Sequence, residues 1–493
     1  MKLSSLVFLM VAALLAPHVS SCLEIGEVSV VGSNRLEYWF WRDTKEEILD
    51  DRFDLCLYYR NFLAGIRYQV VEPSNVNFNE RREGFYRRYI EYNGERFGIR
   101  AGNYYAMFGR GLAFRAYEDD VVFLDRDMDG VKLRGSTGWM DLVAISGRPR
   151  NTEFSQLSYS VVNDTTDQVR GGDVSFHPIS FVTAGASYVL LTTKDLFNPL
   201  VFRRTEVYAA NGSLSLANFD MYGEIAKKWG WDRLLLGQGT GYGIYGAASI
   251  SLPGYGLTFQ FADYDSIGIG GFTYRYNNPP VLNRYGQSIN RGLDENGYQV
   301  EAYASPIEPI NLSVSYSDIE TSDDTLSFKE IFAELKYERY GLAEVRAEFD
   351  LTEQHGIISG AANWEEQIPS MEGTYYITPV HSVGVGYEHR MVTYVTGTDT
   401  LGEELEFTDQ RLHLSYTLAP YGTVTLTGEL RDKDVEHEPG REWRSIHVDW
   451  DVTQDHRLTM MLGSEKGGFV CSGGVCRYEP PFDGVKVLLT SRF

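Results

Sequence analysis

Residues 102–120 form a segment rich in glycine, aromatic residues and charge. Its side chains are the ones in this sequence best suited to interact with a solute. It carries both charge signs, on Arg110, Arg115, Glu118, Asp119 and Asp120. Fixed charges that face each other across a narrow opening set up a transverse field, which sorts solutes by charge. The composition therefore predicts a pore constriction in which the two arginines face the aspartates.

Two placements of this segment fit its residues. Gly109 and Gly111 allow sharp turns and close backbone approach, and the aromatic residues suit packing against an inner wall. In one interpretation the segment folds inward and narrows a pore. In the other it extends two strands above a membrane. The constriction hypothesis adopts the first.

The same residues carry a family resemblance. The sequence Gly102-Asn-Tyr-Tyr, then Phe-Gly-Arg-Gly-Leu and Phe-Arg-Ala-Tyr-Glu-Asp, resembles the central motif of an uncharacterised family of bacterial outer-membrane barrels, typical of Bacteroidota. Ala361-Ala-Asn-Trp364 and the following strand resemble a second motif of that family. The resemblance implies a porin-like barrel and supplies no substrate, cofactor or catalytic residue.

Cysteines and acids offer two further candidate sites. Cys471 and Cys476 bracket a glycine-rich loop, which predicts a disulfide in an oxidising compartment, with two free thiols as the alternative. Residues 125–130 match the first half of a calcium loop, but its twelfth position is Ser136 where a bidentate glutamate is needed. A turn with capping acids is the simpler interpretation, and we expect no metal.

Several function classes are disfavoured by motif and charge. The sequence contains no Gly-x-Ser-x-Gly, His-Glu-x-x-His or Walker motif, so we expect neither an enzyme nor a cofactor. The net charge of −23 argues against nucleic acid as a partner. The 33 tyrosines favour a membrane–water interface instead.

The first residues predict export. Lys2, a short apolar run and small residues before position 22 form a signal peptide over residues 1–21, too short to span a membrane. The stretch before Cys22 also resembles a lipobox, in which Cys22 would carry a lipid. We expect residues 22–33 to form an N-terminal periplasmic segment and residues 34–493 to form the barrel.

The remaining chain alternates apolar and polar residues between tight turns, which is typical of strand hairpins. The turn signals are Arg60-Asn61, Asn93-Gly94, Ser136-Thr-Gly138, His177-Pro178, Asn211-Gly212, Pro253-Gly254, Pro306-Ile-Glu-Pro309, Arg339-Tyr-Gly341, Pro379-Val380, Pro420-Tyr-Gly422 and Thr453-Gln-Asp455. Long loops separate them, and such loops collect at the extracellular rim of outer-membrane barrels. The pattern predicts an all-β, transmembrane, antiparallel up-and-down barrel of about 24 strands, in a range of 22–26, with tight periplasmic turns.

The last strand and the predicted barrel architecture indicate which partners to expect. Residues 483–493 alternate faces and stop at Phe493, which resembles the aromatic signal read by the barrel-assembly machinery. We expect a bacterial outer-membrane channel for passive passage of small solutes, in contact with outer-membrane lipid and lipopolysaccharide. A protein partner or plug would fill its width. The alternative is a non-conducting anchor for a surface or periplasmic partner.

Overall fold

The structure is a computed structural model. It describes residues 23–73, 82–122, 124–155, 158–162, 167–195, 198, 200–232, 237–270, 275–290, 293–356, 363–395, 404–433, 440–472 and 475–493. The expected signal peptide and Cys22 lie outside these residues. Among the described residues, no helix is long and apolar enough to cross a membrane.

Strand formation follows from two-residue periodicity. In 422–431, for example, Val424, Leu426 and Leu430 point outward and Thr425 and Glu429 point inward, because successive side chains alternate across a strand. The strands of the first half are β1 (Leu23–Ile25), β2 (Val28–Trp41), β3 (Glu47–Tyr59), β4 (Phe62–Pro73), β5 (Arg82–Asn93), β6 (Phe97–Tyr104), β7 (Ala106–Phe108), β8 (Phe114–Ala116), β9 (Glu118–Asp119), β10 (Leu124–Ser136), β11 (Met140–Ser155), β12 (Ser158–Val162), β13 (Gln168–Ile179), β14 (Val182–Lys194), β15 (Phe202–Leu216) and β16 (Phe219–Asp232). Those of the second half are β17 (Gly237–Leu252), β18 (Tyr255–Asp265), β19 (Asp294–Ile307), β20 (Ile310–Glu320), β21 (Ser327–Arg339), β22 (Ala343–His355), β23 (Asn363–Tyr376), β24 (His381–Val395), β25 (Glu404–Leu418), β26 (Gly422–Arg431), β27 (Glu442–Asp451), β28 (His456–Glu465), β29 (Gly468–Ser472), β30 (Val475–Glu479) and β31 (Phe482–Arg492).

The wall is a closed antiparallel barrel of 24 strands, as the sequence predicts. One sheet of 27 strands contains this wall together with the short strands β1, β9 and β12. The barrel closes where β31 pairs with β2, with Ser33 opposite Arg492 and Trp41 opposite Gly484. Closure leaves no open strand edge, which lipid could not satisfy with hydrogen bonds.

The outward face of the wall is apolar. Side chains such as Leu414, Leu426 and Ile446 stand on this face with 42–50% of their surface exposed. The residues that flank them along each strand, such as Thr425 and Thr427, are polar and point into the barrel, since every second residue faces inward. An apolar outside around a polar inside is the arrangement that suits a barrel in lipid.

Most turn signals lie at the hairpin turns, and two do not. Asn211 and Gly212 are paired on both sides within β15, and the turn falls at Ala217 and Asn218. Pairing with two neighbours over the whole strand overrides the local Asn-Gly preference. At Pro178 the register shifts between Phe176 and Ile179, because proline has no N–H to give to the ladder.

The first strand begins earlier than expected. The sequence predicts a periplasmic segment that includes residues 28–33, but these residues form the start of β2 and pair with β3. β1 folds back on the same strand, with Leu23 opposite Val30. The predicted boundary is too late because Gly32 and Ser33 interrupt the apolar alternation.

The positions of the loops predict which rim of the barrel faces the cell exterior. A tag inserted beside Leu200, 89% exposed at the long-loop rim, is expected to be detected on intact cells. A tag beside Tyr340, fully exposed at the tight-turn rim, is expected to be detected only after the outer membrane is opened. Antibody labelling of intact and permeabilised cells distinguishes the two, and labelling of the Tyr340 tag on intact cells would invert the orientation.

Candidate functional site inside the barrel

The segment between β6 and β10 lies inside the barrel. Strands β7 and β8 form a short hairpin, which we call the inner hairpin (residues 106–116). Its Phe108 and Phe114 are fully buried, with ring centroids 5.5 Å apart. They belong to one apolar cluster with inward side chains of the wall, including Val189 and Val207. The inner hairpin therefore packs against the inner wall of the barrel.

Two glycines shape the tip of the inner hairpin around a wall carboxylate. Gly109 and Gly111 have φ angles of +55° and +97°, the left-handed region that favours glycine. Glu224 of β16 accepts a hydrogen bond from the backbone N–H of Arg110 at 2.6 Å and from the hydroxyl of Tyr222 at 2.7 Å. A Cβ atom at Gly109 would collide with the Glu224 carboxylate. The Phe-Gly-Arg-Gly motif thus seats the hairpin on the wall.

The described residues of the loop between β18 and β19 (266–270, 275–290 and 293) form a second inner segment. Composition predicts an accessible surface loop here, and that interpretation is wrong. Asn277 is fully buried, and its amide donates to the carbonyls of Leu112 at 2.8 Å and Ile267 at 3.0 Å. The N–H of Arg115 donates to the Tyr276 carbonyl at 2.9 Å. In the sequence, the asparagines indicate a surface loop. In the structure, the Asn277 side chain supplies hydrogen bonds to backbone groups of two buried segments.

The second inner segment is also anchored by a wall carboxylate. The backbone N–H of Arg284 donates to Glu330 of β21 at 3.0 Å. The Arg284 guanidinium lies over the ring of Phe332, and the Tyr285 hydroxyl donates to Asp350 of β22 at 3.1 Å. Together the two inner segments cover the wall from β10 to β21 on its inner side.

After the inner hairpin, the chain approaches another part of the wall, where arginines from the successive strands β3, β4 and β5 converge on Glu118. Its carboxylate lies 2.7 Å from both Arg67 of β4 and Arg87 of β5, and 3.4 Å from Arg52 of β3. Arg52 and Arg67 stand on the inner face of their strands. Five contacts of this kind fix the chain between the inner hairpin and β10, including Arg35 of β2 with Asp120 at 3.3 Å and Arg52 with Asp120 at 3.2 Å.

The charge pairing expected within the segment is therefore wrong, although its residues lie in the lumen. Asp119 accepts a hydrogen bond from Ser472 at 2.6 Å rather than facing an arginine of the segment. Arg110 lies over the ring of Tyr222 at 5.1 Å, and Arg115 over the ring of Tyr117 at 4.2 Å. Glu118 and Asp120 pair with wall arginines instead, because strand pairing brings those arginines closer.

The arginines that contact Glu118 lead to a prediction of how this carboxyl responds to pH. Burial alone would raise the pKa of this carboxyl, but Arg87 and Arg67 outweigh burial and lower the pKa from 4.5 to about 2. A carboxyl with a lowered folded-state pKa stabilises the fold fully above its unfolded pKa, and this stabilisation is lost as pH falls toward 2. We expect bilayer currents to be unchanged by this group between pH 7 and 4, and to change only as pH approaches 2, where the folded carboxyl takes up its proton. The Glu118→Gln variant should lack that acid response; a Glu118-dependent change already at pH 6 would contradict it.

A third element extends over the lumen between β28 and β31. Strands β29 and β30 form a hairpin in which Cys471 and Cys476 are joined by a disulfide; we call it the disulfide hairpin (residues 468–479). Arg477 donates to the Val121 carbonyl at 3.1 Å, next to the contact between Ser472 and Asp119. The disulfide hairpin thus touches the chain that follows the inner hairpin.

Much of the rest of the inner wall is charged, apart from a small apolar cluster of Val392, Tyr394 and Phe407 on β24 and β25. No described side chain from β22 to β28 belongs to the apolar cluster around the inner hairpin. Arg346 of β22 lies 2.6 Å from Glu372 of β23, and His413 of β25 lies 3.7 Å from the same glutamate. Arg390 and Arg431 both contact the buried Asp409. This side of the lumen has partly exposed groups of both signs.

The possible calcium loop is built differently from a metal site. Asp125 accepts from Arg87 and Tyr105, and Asp127 accepts from Arg150 and Asn103. These acids are engaged by cations and amides within the wall. In the described part of the chain, no group of three or more His, Cys, Asp or Glu residues is placed to hold a metal ion.

Sequence comparison places the chain in a family. A family model described as "family of unknown function (DUF6029)" matches residues 38–284 and 335–493. The chain belongs to DUF6029. The matched residues of this DUF6029 chain include the inner hairpin, the Glu118 contacts and the disulfide hairpin. A search of the curated proteins found no match to the sequence.

Solved structures similar to this DUF6029 chain include a transporter, a translocation pore and a receptor. The copper transporter OprC has a TM-score of 0.45 and 10% identity, over 96% of this chain and 81% of that one. The P pilus usher PapC translocation pore has a TM-score of 0.46 and 8% identity, over 94% and 99%. The siderophore receptor PirA from Pseudomonas aeruginosa has a TM-score of 0.47 and 10% identity, over 94% and 80%.

Proposed function

We propose that this protein is a bacterial outer-membrane channel through which small polar solutes pass along the charged side of the lumen. The observation that carries the proposal is the division of the inner wall. Two inner segments pack on β10 to β21 through buried apolar and backbone contacts, whereas β22 to β28 presents many charged side chains to the lumen beside one small apolar cluster. A wall of water-accessible charges is typical of a solute path, since each site binds solutes only weakly.

The inner segments set the width of this path. A barrel of 24 strands tilted about 40° would be roughly 45–50 Å across if it were circular and empty. Inward side chains alone do not fill such a width, and the inner hairpin, the second inner segment and the disulfide hairpin occupy part of it. They restrict passage to small solutes, and the mixed charges of the open side discriminate among those by charge.

Planar-bilayer recording tests the proposal directly. Purified protein that migrates as a heat-modifiable barrel is added to one side of the bilayer, and currents are recorded in symmetric and asymmetric salt. We expect discrete steps of current and a reversal potential that departs from zero in asymmetric salt. A preparation purified identically from cells that lack the gene is the control. A correctly folded barrel that never conducts would refute the channel and favour the non-conducting anchor.

A further inference from the structure

Beside the disulfide hairpin, the inner faces of β24 to β28 and β31 border a cavity of about 270 Å³. Trp443 and Phe482 give this cavity an apolar side. Acidic and basic side chains make up much of the rest of its lining. These charged side chains are Glu388, Arg411, Glu429, Glu465, Lys466, Glu479 and Lys486.

Four of these charges neutralise each other in pairs. Lys466 lies 2.8 Å from Glu429, and Lys486 lies 2.6 Å from Glu465. The first pair joins the chain after β28 to β26, and the second joins β31 to β28. Glu479 is paired with Arg477 at 3.5 Å. These pairs hold the lining in place and leave little net charge to attract a single ion.

The other two charges have no such partner. Glu388 of β24 and Arg411 of β25 are directly opposed across the two strands, where side chains start about 5 Å apart. Nevertheless, no ion pair joins them, and neither side chain hydrogen-bonds to another residue in the described parts of the chain. Arg411 is exposed to the lumen. A free guanidinium and a free carboxylate thus stand side by side in a cavity whose other charges are balanced.

We infer that Glu388 and Arg411 bind a small zwitterion, a solute that carries a carboxylate and an ammonium group close together, as an α-amino acid does. The planar guanidinium of Arg411 binds the carboxylate through two parallel hydrogen bonds. Glu388 accepts hydrogen bonds from the ammonium group. The apolar side chain of the solute packs toward Trp443 and Phe482.

The paired lining explains why a zwitterion is preferred to a simple ion. An anion bound at Arg411 would leave Glu388 without a counter-charge and close to another negative group. A cation bound at Glu388 would repel Arg411 in the same way. A zwitterion satisfies both groups at once, so its two charged ends contribute together. This inference rests on the proposed channel function, because the cavity lies on the charged side of the lumen.

Calorimetric titration of the detergent-solubilised barrel tests the subsite without requiring conduction. The probes are L-phenylalanine and two compounds that each lack one charged group, 3-phenylpropanoate and 2-phenylethylamine. We expect L-phenylalanine to bind, and each of the other two to bind about tenfold more weakly or not at all, because each loses a charged hydrogen-bonding group. Absence of L-phenylalanine binding, or equal binding of all three probes, would overturn the inference.

Substitutions then assign the residues. Arg411→Gln and Glu388→Gln are each expected to weaken L-phenylalanine binding about tenfold, and heat-modifiable migration confirms that each barrel is folded. Arg444→Gln is the matched control, since Arg444 is exposed on the outward face and pairs with Glu442 at 3.0 Å. Unchanged binding in both site variants would overturn the assignment. Failure of the channel is a separate result: it is seen as missing current in the bilayer, whatever the titration gives.

Discussion

Serine at both Phe108 and Phe114 is expected to increase single-channel conductance several-fold. Each substitution removes a fully buried aromatic ring from the contact between the inner hairpin and the wall. Loss of a buried phenylalanine lowers stability by about 3–5 kcal/mol. Two such losses exceed the stabilisation that a short hairpin keeps from its few hydrogen bonds. The wall ladder is untouched, and the barrel should therefore still assemble. The released hairpin leaves a wider opening.

Two measurements check this prediction. Bilayer currents of the double variant should rise, and cells that produce it should become sensitive to a large hydrophilic antibiotic such as vancomycin. A double variant with serine at Tyr340 and Tyr421, two exposed aromatics in tight turns, is the control and should behave like the wild type. If the folded Phe108→Ser, Phe114→Ser barrel conducts like the wild type, the inner hairpin does not limit the path.

Aspartate at Phe493 is expected to abolish or strongly reduce assembled barrel. The Phe493 ring stacks on Phe53 with centroids 5.7 Å apart, and its backbone N–H donates to the Gly32 carbonyl at 3.0 Å. These contacts extend the ladder that closes β31 on β2. A charged side chain on this outward face loses the ring stacking and meets lipid or its interface. Without closure, two strand edges would be left unpaired in the membrane.

The readout is the heat-modifiable band of outer-membrane fractions. Gly32→Val should give a similar defect, because a Cβ atom at Gly32 would collide with the Phe493 ring. Phe469→Asp serves as the matched control: its ring is 58% exposed on the disulfide hairpin and lies away from the seam. Normal bands from the Phe493→Asp variant would show that closure does not depend on this ring.

The wall was predictable because its information is local. Alternation along a strand such as 422–431 and a turn such as Pro253-Gly254 are each readable from a few neighbouring residues. The requirement that the barrel close then determines the number of strands and the pairing of the last strand with the first. Asn211-Gly212 shows the limit, since a turn preference of two residues loses to pairing along a whole strand.

The inside of the barrel was less predictable because its contacts are distant in sequence. Nothing near Glu118 identifies Arg52 and Arg67 as its partners, and nothing near Gly109 points to Glu224. One signal was available: an arginine at an inward position on each of β2, β3 and β4. Aligned by strand pairing, these residues indicate a basic face that needs acids from elsewhere. The asparagines of the second inner segment gave no such signal.

The long sequence separation of these contacts constrains the order of events during biogenesis. Arg110 meets a carboxylate 114 residues later in the chain, and Arg42 at the closing seam meets Asp483, 441 residues later. Contacts between distant residues form slowly, because a long loop must first be closed. The contacts of the inner hairpin can therefore form only after β16 has been made. Those of the seam can form only after nearly the whole chain has been made. Until then Phe108 and Phe114 are exposed, so a chaperone that binds apolar residues would be needed for this stretch until β16 has been made.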